Sequence, residues 1–390
     1  MLSEKVLSKI CEKGILLFGC GGKMGHYYME KLKNLGVNEA YIIGIDINSE
    51  NLEKIRTKYP SAYYYSDWDG HITPACAIIA VNSTAHLPVI KECYAKKIEK
   101  IFIEKPLVYY QSELDELRKF DNSNLYVAHL INFSGIVKNL IEYAQRKNLV
   151  MVQAFSKWGK NWPGEKRIMG GDAEEELPHP LALILALANA INGDITIKDI
   201  VSHTSMIPHV QPEYLEGAKD LELDFPDKMN DSTLLGFNIL TQSGSIPVHL
   251  STSFNYCKQN RLVEISFRRA DSESLIPTEK AYLEFDVNPF KEIFESLCYS
   301  TPIPLVKIEE EVRSFLNDGY ADLLSGNRDR LLIIDAISNQ TVLTNEYKGD
   351  KIQANLQAAL EVLLGNGIDF RLTDFNQAKY LTSLIQKIIG

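Results

Sequence analysis

The chain is poor in cysteine, has no long apolar run and carries a deficit of positive charge. Its six cysteines (Cys11, Cys20, Cys76, Cys93, Cys257, Cys298) are scattered, with no C-x-x-C pair. That excludes a disulfide scaffold and reads as reduced thiols. No H-x-H or H-E-x-x-H motif occurs either, so metal chemistry would have to draw on His179, His203 and His209, and no metal is expected. No run approaches the roughly 18 to 20 apolar residues that span a bilayer. The longest, residues 180–191, is bounded by Asn192-Gly193. The opening Met1-Leu2-Ser3-Glu4-Lys5 lacks the apolar core of a secretory signal, which points to a cytoplasmic protein. With 41 Lys+Arg against 51 Asp+Glu the formal charge is −10, and no basic field exists to recruit nucleic acid or an anionic membrane surface.

What is present is an ordinary globular composition, 45% hydrophobic and 24% charged over 390 residues. At about 150 residues per domain this predicts two domains with an appendage. Residues 14–18 (GILLF) form a buried-strand run, and Met24, Tyr28, Leu32 and Leu35 then share one helix face that Gly36 can end. The alternation continues through strands at 41–45, 75–81, 101–103 and 125–128 and helices at 51–58, 86–95 and 112–120. Continuous apolar strands separated by helices predict a parallel sheet covered on both faces. After about residue 130 the pattern changes. Helices at 136–147 and 180–191 give way to strands at 195–201, 234–240, 246–254, 262–267 and 281–285, a succession that predicts a largely antiparallel sheet. Residues 352–364 and 376–389 read as helices. The expected division is 1–130, 131–345 and a helical C-terminal segment, 346–390, packing on the core.

The first turn reads Gly19-Cys20-Gly21-Gly22-Lys23-Met24-Gly25. A pyrophosphate needs backbone N–H groups at a helix N-terminus with no Cβ in the way, which glycine provides. The spacing is G-x-x-G-x-x-G when Gly19, Gly22 and Gly25 are taken together, and its place between a buried strand and an amphipathic helix makes it a dinucleotide site rather than a flexible loop. Asp46 ends the second strand 21 residues beyond Gly25, followed by Ile47. An acid there accepts from both adenosine ribose hydroxyls and repels a 2′-phosphate, so NAD is preferred, with NADP still open. Ser49 is available to cap the next helix.

At the end of a later strand stands Ile103-Glu104-Lys105-Pro106-Leu107. Together with the glycine turn, Asp46 and the stretch Ala77-Ile78-Ile79-Ala80-Val81-Asn82-Ser83-Thr84-Ala85-His86, it resembles the Gfo/Idh/MocA oxidoreductase family, clearly over about the first 135 residues. The resemblance implies an N-terminal Rossmann domain and a C-terminal α/β domain with an open, mostly antiparallel sheet. It implies hydride exchange between NAD(P) and a hydroxyl-bearing carbon of a sugar, nucleotide sugar or cyclitol. It places Lys105 beside the nicotinamide and the reacting oxygen, and Asn82, Ser83, Thr84, His86 and Glu104 along the cofactor, with Gly19, Gly21, Gly22, Lys23, Met24, Gly25, Asp46 and Ile47 at its other end. His86 reads equally as a helix-start residue.

The family's second domain carries Gly-Gly, then Asp, three residues and His. Here Gly170-Gly171-Asp172-Ala173-Glu174-Glu175-Glu176-Leu177-Pro178-His179 puts Glu175 and His179 at those places, with Glu replacing Asp and prolines flanking the histidine. Pro180 predicts that His179 stands just before a helix, where the dipole favours the neutral imidazole of a base. A solvated acidic run and a helix-start histidine are the plainer alternative. Trp158, Trp162, Lys166 and Arg167 precede this segment as candidate substrate contacts, with Lys160, Arg261, Arg268 and Arg269 suggestive in the same way. A packed indole and solvated cations are again the plainer alternative. The family's open sheet implies a homodimer or homotetramer. The competing class is a non-catalytic NAD(P)-binding sensor or assembly protein of the same fold.

Overall fold

The computed structural model describes residues 1–68, 70, 73–161, 176–207, 229–253, 255–272, 274, 276–287, 328–365 and 367–389. Helix α1 (Glu4–Lys13) leads into β1 (Ile15–Phe18), whose four residues are all buried. There follow α2 (Lys23–Asn34), β2 (Ile42–Ile45), α3 (Ser49–Lys58), β3 (Tyr63–Tyr65), β4 (Cys76–Ile79), α4 (His86–Ala95), β5 (Ile101–Glu104), α5 (Gln111–Leu117) and β6 (Leu125–Ala128). These six strands are parallel and lie in the order β6-β5-β4-β1-β2-β3, a doubly wound sheet whose order reverses beside β1. The Tyr63-Tyr64-Tyr65 run is itself the edge strand.

The second layer system starts with α6 (Gly135–Arg146) and β7 (Leu149–Asn161), followed by α7 (Pro178–Asn192) and strands β8 (Thr196–Ile207), β9 (Met229–Thr241), β10 (Gly244–Ser253), β11 (Asn255–Arg269), β12 (Glu279–Val287), β13 (Arg328–Asp335) and β14 (Thr341–Tyr347). Their order is β14-β13-β12-β11-β7-β10-β9-β8, antiparallel throughout except for the parallel β7–β10 pair. The fold class expected from the sequence is therefore the one observed. Helix α7 is apolar on every side because it is enclosed: residues from Leu181 to Ala188 are all buried, sharing one cluster with α6 and the inner face of the sheet.

Two expectations about helix starts are corrected. Helix α3 is capped by Asn48, whose side chain accepts from Asn51 N at 3.1 Å, and Ser49 is its first residue. Helix α7 begins at Pro178, so His179 lies inside the first turn rather than before it. Both prolines fit there because first-turn N–H groups have no intrahelical acceptor to lose.

The C-terminal segment binds both sheets. Helix α8 (Lys351–Leu360) buries Leu356 and Leu360 among Met29, Leu32 and Phe133, and a π-turn at Glu361–Gly365 continues it. A short strand β15 (Thr373–Asp374) pairs antiparallel with β6, and α9 (Phe375–Ile389) packs Leu381, Leu384 and Ile385 into the cluster around α7. Truncating a fully buried leucine costs about 2 to 5 kcal/mol. Leu356→Ala is accordingly expected to lower the urea unfolding free energy by that amount, and a loss near zero would put α8 outside the core.

Candidate functional site

The parallel sheet delivers three loops side by side, because β1, β4 and β5 are neighbours and all end on the same edge. The first is the glycine turn. Gly19 has φ +74° and donates to Ile45 O at 2.7 Å; a Cβ there would stand 2.6 Å from Ala80 O. A Cβ on Gly25 would stand 2.1 Å from Gly19 O, so glycine is what lets α2 seat its first turn against the strand end. Gly22 is the N-cap of α2 and brings no side chain to it, while a Cβ built on it would approach nothing nearer than Gly19 O at 3.4 Å. No side chain caps this end of α2 and nothing crowds Gly22, which fits the pyrophosphate of a dinucleotide. Lys23 is exposed at this end and Met24 half-buried.

Asp46 closes the turn from β2. Its Oδ2 accepts from Gly21 N at 3.0 Å and its Oδ1 from Asn48 N at 2.9 Å, while Ile47 beside it is 92% exposed. Cys20, within the turn, is fully buried and its thiol is pushed up to about 12, chiefly by that burial and then by the Asp46 charge. It is a packing residue, not a nucleophile.

The second loop is Asn82–His86. Asn82 and Thr84 are exposed and Ser83 is half-buried in a 3₁₀ turn. His86 is fully buried, and its Nδ1–H donates to the Pro106 and Leu107 carbonyls at 2.8 and 3.2 Å. Burial lowers its pKa, opposed by these carbonyls. It ties the second loop to the third rather than lining an open surface.

The third loop holds Glu104 and Lys105, with a cis bond from Lys105 to Pro106. Glu104 accepts from the hydroxyl of fully buried Tyr28 on α2, and burial raises its carboxyl against the opposing pull of Tyr28 and Lys105. Helix α9 braces this loop from behind, where Gln386 Nε2 donates to Tyr109 O.

His129 is the residue that sequence reasoning missed. In the β5–β6 register Glu104 is paired with Ala128, so His129 follows directly beside Lys105. It is 4% exposed, Nδ1 has no hydrogen-bond partner, and its pKa is lowered to about 3 by burial and then by the Lys105 charge. A lone histidine after a strand carries no signal of its own; only its position at the carboxyl edge marks it.

Leu130 and Ile131, which follow His129, line a pocket of about 370 Å³ with Trp158, His179, Arg261, Asp286, Gly349, Asp350, Lys351 and Ile352. His179 is half-buried and stacks on the Trp158 indole with ring centroids 6.0 Å apart and planes inclined by 26°. Trp158 itself is completely buried, so it backs the wall rather than offering a face to a substrate. Of the three arginines, Arg261 reaches this pocket, whereas Arg268 and Arg269 sit at the other end of β11, with Arg268 held by the Ser243 and Ser272 carbonyls and Arg269 by Asp271. Glu175, Trp162, Lys166 and Arg167 lie outside the described residues, as does His209. His203 lies on the opposite, outer face of the second sheet from the helix that carries His179. Among the described residues no group of three or more His, Cys, Asp or Glu is arranged to hold a metal ion, and no helix is long and apolar enough to cross a membrane.

The buried neutral histidines set a pH dependence. His129 titrates near 6.5 when unfolded and near 3 when folded, so between those values the unfolded chain binds the extra proton and stability falls as pH falls. His86 acts in the same direction. From pH 6.5 to 5 the His129 contribution is about 1 to 2 kcal/mol. His129→Gln is expected to remove that part of the decline in urea unfolding, and an unchanged slope would show that His129 is solvated.

Residues 13–124 match the model of the Gfo/Idh/MocA family, described as an oxidoreductase family with an NAD-binding Rossmann fold. No curated protein sequence matches the chain. Among solved structures, UDP-N-acetylglucosamine 3-dehydrogenase GnnA from Acidithiobacillus ferrooxidans superposes with TM-score 0.64 at 12% identity, covering 96% of each chain. KijD10, a 3-ketoreductase from Actinomadura kijaniata crystallised with TDP-benzene and NADP, gives TM-score 0.59 at 8% identity over 97% of this chain and 96% of its own. Biliverdin reductase from Synechocystis sp. PCC 6803, in complex with biliverdin and NADP+, gives 0.59 at 11% over 96% and 97%. Likeness at such identities is likeness of fold. With the family match over residues 13–124 and the parallel sheet order, the N-terminal part has a Rossmann fold similar to the NAD-binding domain of the Gfo/Idh/MocA oxidoreductase family.

Proposed function

We propose that this chain is an NAD(P)-dependent dehydrogenase or reductase acting on a hydroxyl-bearing carbon of a sugar, nucleotide sugar or cyclitol. The observation that carries this reading is the meeting, on one sheet edge, of a glycine-lined helix N-terminus, the Asn82–His86 loop and Lys105. The dinucleotide, when bound, supplies the hydride acceptor or donor. Lys105 Nζ and the His179 imidazole are proposed to hold the substrate oxygen and to take its proton as the hydride leaves carbon, returning it in the reverse direction. Burial raises the Glu104 carboxyl against the opposing pull of Tyr28 and Lys105, so desolvation works against a full negative charge beside Lys105. The names of two structural neighbours, a 3-dehydrogenase and a 3-ketoreductase, support hydroxyl or ketone chemistry.

Asp46 supports NAD over NADP, because its carboxylate stands where a 2′-phosphate would meet negative charge. It also braces Gly21. NADH is expected to bind more tightly than NADPH, and Asp46→Ala to narrow the ratio by about tenfold, or 1.4 kcal/mol. Tighter binding of NADPH to the unaltered protein would contradict the assignment.

The outer face of the second sheet supports a homo-oligomer. Val201, Gly236, His249 and Phe155 form one row across four strands, and Val201 and Leu234 are 72% and 53% exposed. An apolar sheet face of this kind is suited to a second copy of itself.

The reaction is tested by Lys105→Met. Across a panel of sugars, nucleotide sugars and cyclitols, turnover of the substrate found is expected to fall by about 10² to 10⁴ with NADH affinity retained. Full turnover in the variant would exclude Lys105 from the chemistry, and cofactor binding without turnover of any compound would favour the sensor.

A further inference from the structure

Behind the His179 pocket lies a chain of paired charges. Lys351, the first residue of α8, donates to Asp286 Oδ1 at 2.7 Å and to the two Asp329 oxygens at 3.0 and 3.2 Å. Asp286 also accepts from Arg261 Nη1. The Arg261 guanidinium lies 5.6 Å from the Trp158 ring centroid, and its Nη2 is 3.8 Å from Glu176 Oε2. That same carboxylate oxygen accepts from Trp158 Nε1 at 3.0 Å, and the indole stacks on His179.

The backbone is bent to build this. Asp286 is a non-glycine residue at φ +53°, within a register shift between Glu284 and Val287 on β12, and its N–H is taken by Asp329 Oδ1 at 2.9 Å. An extra residue in a strand redirects a side chain, and a left-handed aspartate is a local cost that its surroundings must offset. The participants are withdrawn from water: side-chain exposure is 18% for Arg261, 17% for Lys351, 16% for Asp286 and 3% for Glu176 and Asp329. Burial alone would raise the Asp286 carboxyl, yet Lys351 and Arg261 hold it below the usual range. Buried ion pairs add little stability over well-packed apolar residues, so their presence beside a catalytic candidate calls for another role.

We infer that the Lys351–Asp286–Arg261–Glu176 chain is a positioning device for His179, fixing the Trp158 plate on which the imidazole rests and setting the electrostatic field around it. This rests on the reading that His179 handles the substrate proton. Among the described residues, the charged groups around His179 are Glu176 just before α7 and, lining the same pocket, Arg261 from β11, Asp286 from β12, and Asp350 and Lys351 from the start of α8. Asp329 stands behind Lys351, and Asp350 is engaged by Lys31 of α2 at 2.9 Å. Because α8 packs on the cofactor domain, the chain links that domain to the pocket.

The opposing signs give a test that simple loss of packing does not imitate. Removing the Arg261 cation leaves the nearby acids dominant and favours protonated His179; removing the Asp286 anion leaves the two cations dominant and disfavours it. The His179 titration is read in the full-length protein by NMR of ¹³C-labelled histidine, assigned with His179→Gln. Arg261→Gln is expected to raise it and Asp286→Asn to lower it, each by about half a pH unit or more. Arg261→Lys, which keeps the charge, should stay near the parent. Trp158→Phe, which keeps an aromatic plate but removes the donor to Glu176, covers the case in which a charge variant does not fold, and is expected to change the ring-current shift of the His179 protons. If all folded variants leave the His179 titration and shifts unchanged, the positioning role is overturned. If the resonance moves as expected while turnover ignores His179→Gln, the positioning stands and the proton-handling reading fails instead.

Discussion

The approach on which the glycine-turn edge depends is the seating of α2 on the end of β1, where Gly25 lies so near Gly19 that a single methyl group would meet a carbonyl oxygen at 2.1 Å. Everything at the cofactor edge follows from that contact. It aims the α2 N–H groups across the end of the sheet and brings Tyr28 within reach of Glu104 on β5. It leaves Asp46 to close the turn through Gly21. The neighbouring strands then only have to end at the same level, which their parallel register ensures.

The second constraint is burial of polar groups at that edge. His86 Nδ1–H is taken by two carbonyls of the Lys105 loop, Glu104 accepts from Tyr28, and His129 is held neutral beside Lys105. The His86 and Tyr28 hydrogen bonds fix the backbone and the acid on either side of Lys105. On the other side of the pocket the solution is different: charges are kept ionised and paired, from Lys351 through Asp286 to Arg261. The two proposed proton-handling residues thus stand in contrasting surroundings, one of buried groups whose burial works against charge and one of ionised pairs.

Much of this was legible in the sequence, for identifiable reasons. Strands buried on both faces are continuous apolar runs, so β1, β4 and β5 announced themselves, and the glycine turn did so because only glycine tolerates the approach that α2 makes. The strands β7, β13 and β14 escaped: β14 has no buried residue, and Arg328-Asp329-Arg330 opens β13 with three charges, of which Asp329 turns out to be buried. Boundaries at caps were also beyond local rules, since Asn48 and Ser49 are both good caps and tertiary placement chose the first. His129 and the Lys351 chain were invisible because their partners are brought together only by strand register or by residues far apart in sequence. The −10 charge, which spoke against polyanionic partners, gives no hint that buried cations stand beside His179.

The deciding measurement is a structure of the protein with a nicotinamide dinucleotide and a turned-over polyol or sugar. The pyrophosphate is expected over Gly22 at the α2 N-terminus, with Lys105 Nζ and the His179 imidazole both within hydrogen-bond distance of the same substrate oxygen. A dinucleotide bound away from the glycine turn, or a reacting oxygen out of reach of Lys105, would contradict it.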